Sequence, residues 1–112
     1  MAKVIISEEL EDEINKKFKK ESIEIFELLY SLEENPHKGR LLGNVGGIAI
    51  KELRYKSFRF YFITDGYQLK IMDGQKLTDL LIKFVRMSDK KTQQIVIDEI
   101  KNILRQFGEE GF

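Results

Sequence analysis

The chain has no cysteine and no tryptophan, a single proline and a single histidine. Without thiols it can form neither a disulfide nor a thiolate metal site. That usage fits a reducing cytoplasm, which is the expected location. With one imidazole, His37, no His, Asp and Glu cluster has the spacing of a metal centre, so no metal or other cofactor is expected. His37 follows Pro36 in a turn signal, where an exposed, non-catalytic histidine is the commoner outcome. No apolar run approaches the roughly 18 residues needed to cross a bilayer, so no membrane contact is expected. The opening Met1–Ile6 is too short, and too soon followed by acids, to read as a secretory leader. There is no serine elbow and no P-loop. Gly43, Gly46 and Gly47 lack the strand–loop–helix setting of a phosphate cradle and read as a connector.

The formal net charge is also zero, but it hides an uneven distribution. Residues 1–36 hold ten acids and five bases, residues 37–91 twelve bases and five acids, and residues 92–112 two bases and four acids. A basic centre between acidic ends is the footprint of a phosphate-bearing partner, or else a mixed solvated face. At 112 residues and 42% hydrophobic content, one folded domain spanning 1–112 is expected.

Periodicity divides the chain into elements. Val4–Ile6 is a short apolar run that reads as a first strand. Ser7 can cap a helix whose first turn is acidic and whose Leu10, Ile14 and Phe18 share one face. Ser22 can cap a second helix, with Ile25, Leu28, Leu29 and Leu32 as its buried stripe, stopped by Asn35-Pro36. Residues 48–55 and 58–64 are rich in β-branched and aromatic residues. Asp65-Gly66 is a hairpin signal, with Tyr67–Met72 as the returning strand. Asp73-Gly74 turns the chain again, and Leu80–Met87 is the last strand. Ser88 can cap a final helix from about Asp89 to Phe107, with Val96, Ile100, Ile103, Leu104 and Phe107 as its stripe and Gly108 as its end. The remaining tail is expected to be loose. The sum is an α+β domain: a small antiparallel sheet flanked by an N-terminal helical hairpin and a C-terminal helix, with one sheet face free to stay open.

Strand alternation places Phe58, Phe60 and Phe62 on the core face and Arg59, Tyr61 and Ile63 on the opposite one. In the last strand it puts Lys83 and Val85 on one side and Phe84 and Arg86 on the other. An arginine beside an aromatic on an open sheet suits phosphate contact with base stacking. The competing reading is that Arg59 and Arg86 pair with acids such as Glu52. Tyr55, Tyr61 and Tyr67 read as packing or stacking residues. Lys90 and Lys91 fall in the first turn of the last helix, against the preference of the helix dipole.

The runs Gly-Arg-Leu-Leu-Gly (39–43), Glu-Leu-Arg (52–54), Phe-Arg-Phe-Tyr-Phe (58–62) and Phe-Val-Arg-Met-Ser-Asp-Lys-Lys-Thr-Gln-Gln (84–94), in this order after a strand and a helical hairpin, resemble the RelE/ParE superfamily of type II toxin–antitoxin toxins. The resemblance covers nearly the whole chain. It implies a RelE/ParE-like fold and a ribosome-dependent mRNA endoribonuclease in which a ribose 2′-OH attacks the adjacent phosphate without a metal. Arg59 and Arg86 would stabilise the phosphorane, with Lys90 or Lys91 assisting. Arg54, Lys51, Lys56, Tyr61 and Lys83 would form the RNA-binding set. The implied partners are a cognate antitoxin, the ribosome and mRNA. The ParE branch implies DNA gyrase instead, and a catalytically silent antitoxin-binding module is a third possibility. The places of the strand lysines of RelE-like enzymes hold Ile50 and Glu52 here, and Gln93 and Gln94 stand where several have a tyrosine or histidine. The general base is left unassigned.

Overall fold

The computed structural model describes residues 2–71 and 80–112. The elements are β1 (Lys3–Ile6), α1 (Glu8–Phe18), α2 (Ser22–Tyr30), β2 (Arg40–Val45), β3 (Ile48–Tyr55), β4 (Phe58–Asp65), α3 (Gly66–Ile71), β5 (Leu81–Ser88) and α4 (Gln93–Phe107). The fold is α+β, built on one five-stranded sheet in the order β1-β5-β4-β3-β2. The sheet is mixed rather than wholly antiparallel. β1 lies parallel to β5, with Lys3 beside Leu81 and Ile6 beside Phe84. The long connection between them, which includes α1, α2 and the other three strands, lets the first and last strands pair in parallel.

α1 begins as its sequence dictates: the Ser7 hydroxyl accepts from the Leu10 amide at 3.3 Å. The second cap does not form. Ser22 is buried inside the helical segment and its hydroxyl donates to the Lys19 carbonyl, while Glu21 takes the cap position without a side-chain bond. Leu10, Ile14, Ile25, Leu29 and Leu32 from this helical pair pack with Phe60, Phe62, Ile82 and Phe84 on one sheet face. Phe60 and Phe62 are fully buried and Phe58 half-buried, as the alternation requires.

The opposite face is not open. α4 lies on it, and Ile97, Ile100 and Leu104 form a second core with Ile50, Tyr61, Ile63 and Val85. The helical stripe is accordingly rotated from the expected one: Ile97 is buried, Val96 and Ile103 are half-buried and Phe107 is exposed.

Three segments differ from the sequence expectation for identifiable local reasons. The glycine-rich stretch is not a connector throughout. Gly43 lies inside β2, and Gly46-Gly47 form the two-residue turn between Val45 and Ile48, Gly46 at φ +59°. Asp65-Gly66 does not turn a hairpin. The Asp65 carboxylate accepts from the amides of Tyr67 and Gln68 at 3.0 and 3.1 Å and so starts the short helix α3 where a strand was expected. Met72 and the Asp73-Gly74 turn lie outside the described residues. Ser88 does not cap α4; it ends β5, and Asp89 ties the next turn by accepting from the Thr92 amide and hydroxyl at 2.9 and 3.0 Å. Finally, the tail is ordered: Gly108–Gly111 forms a 3-10 turn and Phe112 packs against the second core.

Candidate nucleic-acid interface

Register on the α4 face sets out the site. One row across the sheet runs Arg40, Glu52, Tyr61, Arg86, and the next runs Arg54, Arg59, Ser88. Arg86 belongs to this face because of a β-bulge at Val85. The extra residue puts Val85 and Arg86 together opposite Tyr61 and reverses the simple alternation, which would have sent Arg86 to the other side.

Arg59 stands on the expected face but is covered there, with 6% of its surface accessible. It meets the carboxylate of Glu52, itself 2% accessible, at 3.9 Å, and one of its guanidinium NH₂ groups donates to the Ser57 carbonyl at 3.3 Å. Neither Glu52 oxygen has a closer hydrogen-bond partner among the described residues. The competing reading of Arg59 as half of an ion pair is therefore the observed one. Tyr61 is also buried. Its hydroxyl and that of Ser88 lie 2.7 Å apart, and burial pushes the phenol above its ordinary value. Tyr61 is thus a core residue and offers no face for base stacking.

Arg86 is half-buried and held on three sides. Its Nε donates to Glu99 at 2.7 Å, one NH₂ donates to the Val85 carbonyl at 2.8 Å, and the guanidinium lies 5.2 Å from the Phe112 ring centroid. Lys83 is half-buried beside it and donates to the Phe112 carbonyl. The three arginines Arg54, Arg59 and Arg86 consequently do not make one exposed patch: Glu52 neutralises Arg59 and Glu99 neutralises Arg86.

Two further members of the expected RNA-binding set are placed elsewhere. Lys51 faces the helical pair, with 5% of its surface accessible; its ammonium donates to the His37 carbonyl at 3.1 Å and lies 5.8 Å from the Phe62 ring. Lys56, in the turn after β3, is exposed but pairs with Glu21, which raises the lysine pKa and lowers that of the carboxylate. What stays exposed at the sheet's end is Arg54 near the end of β3 and Lys90 and Lys91 in the turn after β5. Because α4 starts only at Gln93, the two lysines precede the helix and do not oppose its dipole from within.

Among the described residues no group of His, Asp and Glu side chains could hold a metal, and no helix is long and apolar enough to cross a membrane. The pairing of Arg86 with Glu99 had no sequence signal, since register and helix rotation both had to be known. Glu52 did carry one, as an acid that follows Ile48 and Ile50 on the same face of the strand.

Lys51 gives a pH prediction. Burial lowers its pKa from the ordinary 10.5. Between that lowered value and 10.5 the folded state has released the proton while the unfolded chain still holds it, so this residue makes stability rise with pH across that window. Below the window it carries the cost of a buried ammonium. Lys51→Met is expected to remove this rise and to stabilise the fold at neutral pH. Urea midpoints of both proteins from pH 7 to about 10.5 check it; parallel curves would refute the buried-ammonium account.

Compared with known protein families, with curated proteins and with solved structures, the chain matches none.

Proposed function

We propose that this chain is a toxin of the RelE/ParE kind, held by a cognate antitoxin, and that it acts on mRNA at the ribosome. What supports the reading is the element order: a strand, a helical pair, the strands that carry Glu-Leu-Arg and Phe-Arg-Phe-Tyr-Phe, and a last strand running into a helix, as the sequence resemblance implies, with β2 and α3 as additions to that order. The observation that carries the choice of RNA is the group of exposed cations Arg54, Lys90 and Lys91 at one end of the sheet. Arg54 lies beside Arg59, and Arg59 beside Ser88, so the 89–92 turn continues the same row. Cations that water reaches can contact phosphates and steady the charge of a phosphorane formed by 2′-OH attack. Arg59, locked against Glu52, acts in this scheme as a support beneath them.

A second reading is favoured by one fact. Both arginines expected to carry catalysis are engaged by carboxylates, which suits a ParE-like gyrase inhibitor or a catalytically silent antitoxin-binding module. The separating experiment is addition of purified protein to a translating extract, with mapping of mRNA 5′ ends, alongside a supercoiling assay with purified gyrase. New 5′ ends are expected, and their loss in an Arg54→Ala/Lys90→Ala/Lys91→Ala variant. For single-stranded RNA the same variant should lower the salt-dependence slope by about 2, at roughly 0.7 per lost phosphate contact. Intact mRNA with blocked supercoiling would replace the nuclease by the gyrase reading; neither effect, with antitoxin binding retained, would leave the binding module.

A further inference from the structure

We propose, resting on the RNA reading above, that Lys19 and Lys20 after α1 and Lys56 in the β3–β4 turn are further phosphate contacts, which carry the surface of Arg54, Lys90 and Lys91 round the end of the sheet. Two of these lysines stand where the backbone calls for glycine. Lys19 ends α1 at φ +52° and ψ −114°, the conformation of the first central residue of a type II′ turn. The turn imposes it: the Lys19 amide donates to the Asn15 carbonyl, and the Lys19 carbonyl accepts from the Ser22 hydroxyl. Lys56 opens the two-residue turn between the paired Tyr55 and Phe58 at φ +55°, while Ser57 after it has no positive φ. That turn is therefore also of the II′ kind, with its first position suited to glycine.

A side chain in either place strains the backbone. Both side chains are exposed, so neither offsets the strain by packing in a core. The helix dipole favours cations in the last turn of α1, where Lys16 and Lys17 already stand, and does not require one at Lys19. Asp12 and Glu13, four residues before Lys16 and Lys17, offset that pair and not Lys19 or Lys20. The charge itself is what lysine adds at these two positions.

The two turns adjoin. Phe18 meets Phe58 edge-on at 4.9 Å, and the Lys17 ammonium lies 5.1 Å from the Phe58 ring centroid. Lys56 reaches Glu21, two residues beyond Lys19, and Arg54 lies two residues before Lys56. The nearby carboxylates are engaged: Glu21 accepts from Lys56 and Tyr55, and Glu24 lies 2.9 Å from the same Tyr55 hydroxyl. Lys56 uses one of its three N–H donors on Glu21. Lys19 and Lys20 are exposed and have no carboxylate at ion-pair distance among the described residues.

The test pairs urea unfolding with binding of a single-stranded oligouridylate RNA across a salt series. Lys19→Gly should raise the urea midpoint, because glycine takes this conformation without strain, and yet bind RNA more weakly, with the salt slope lower by about 0.7. Adding Lys56→Gly should bring the loss of slope to about 1.4. Lys19→Arg/Lys56→Arg, which keeps both charges and both strained positions, should keep the starting slope without the gain in stability. A starting slope in Lys19→Gly/Lys56→Gly, with a lowered one in Arg54→Ala/Lys90→Ala/Lys91→Ala, would overturn the proposal and leave the RNA reading standing. A lower urea midpoint in Lys19→Gly would also overturn it, since the lysine would then serve the fold. If the starting protein binds no RNA, the RNA reading fails and these contacts fall with it.

Discussion

Glu52→Ala is expected to destabilise the protein by about 3–5 kcal/mol, because it leaves the Arg59 guanidinium buried without its counter-charge. The pair is nearly sealed, with side-chain accessibilities of 2% for Glu52 and 7% for Arg59. Arg59→Ala should cost a similar amount by stranding the carboxylate. Yet the intact pair is loose, at 3.9 Å, and the carboxylate accepts no hydrogen bond from any described residue. Its attraction therefore does little more than offset the cost of removing two charges from water. Glu52→Leu/Arg59→Met should then be near neutral or more stable than the starting protein. Urea unfolding of the starting protein, Glu52→Leu, Arg59→Met and the double variant closes a double-mutant cycle. A double variant as unstable as the sum of the singles would show that the two charges are not coupled. The cycle also bears on the proposed function: any activity lost in Arg59→Ala alone would report lost folding before it reported lost chemistry.

Phe60→Ala should cost about 3–5 kcal/mol, a large part of the stability of a domain this size. Phe60 is completely buried between the helical pair and the sheet, with Phe18 at 6.4 Å between ring centroids. Phe58, two positions earlier on the same face, is only half-buried and meets Phe18 edge-on at 4.9 Å. Its truncation should cost distinctly less, since part of that ring already faces water. Equal losses at the two positions, measured by the shift in thermal midpoint, would contradict this placement of the core.

The difference between those two cases follows what the sequence could express. Period-two alternation in 58–63 reports which side each residue takes, and all six took it. It does not report what covers that side: the α4 face was read as open because one sheet face was expected to take every helix, whereas α4 packs its own stripe on the other face, with Ile97 buried where Val96 was expected. The same alternation failed in β5, where one extra residue at Val85 carried Arg86 to the other face; a bulge leaves no trace in composition. Asp65 misled for a related reason. Followed by glycine it signals a hairpin, but its carboxylate was captured by two amides that a helix supplies. Of the candidate site, the exposed cations Arg54, Lys90 and Lys91 were legible as charges. The pairing of Arg59 with Glu52 was legible as an alternative, whereas the engagement of Arg86, Lys51 and Lys83 was not, because each partner comes from another segment.

The parallel pairing of β1 with β5 fixes an order of events during synthesis. Lys3 finds its neighbour only when Leu81 has been made. At about 5–20 residues per second, the first strand waits for several seconds with its edge unpaired. Neither the sheet nor the row that carries the exposed cations can close before then. A nascent chain thus presents the unpaired edge of β1 until β5 has been made, and the last strand synthesised is the one that closes the sheet.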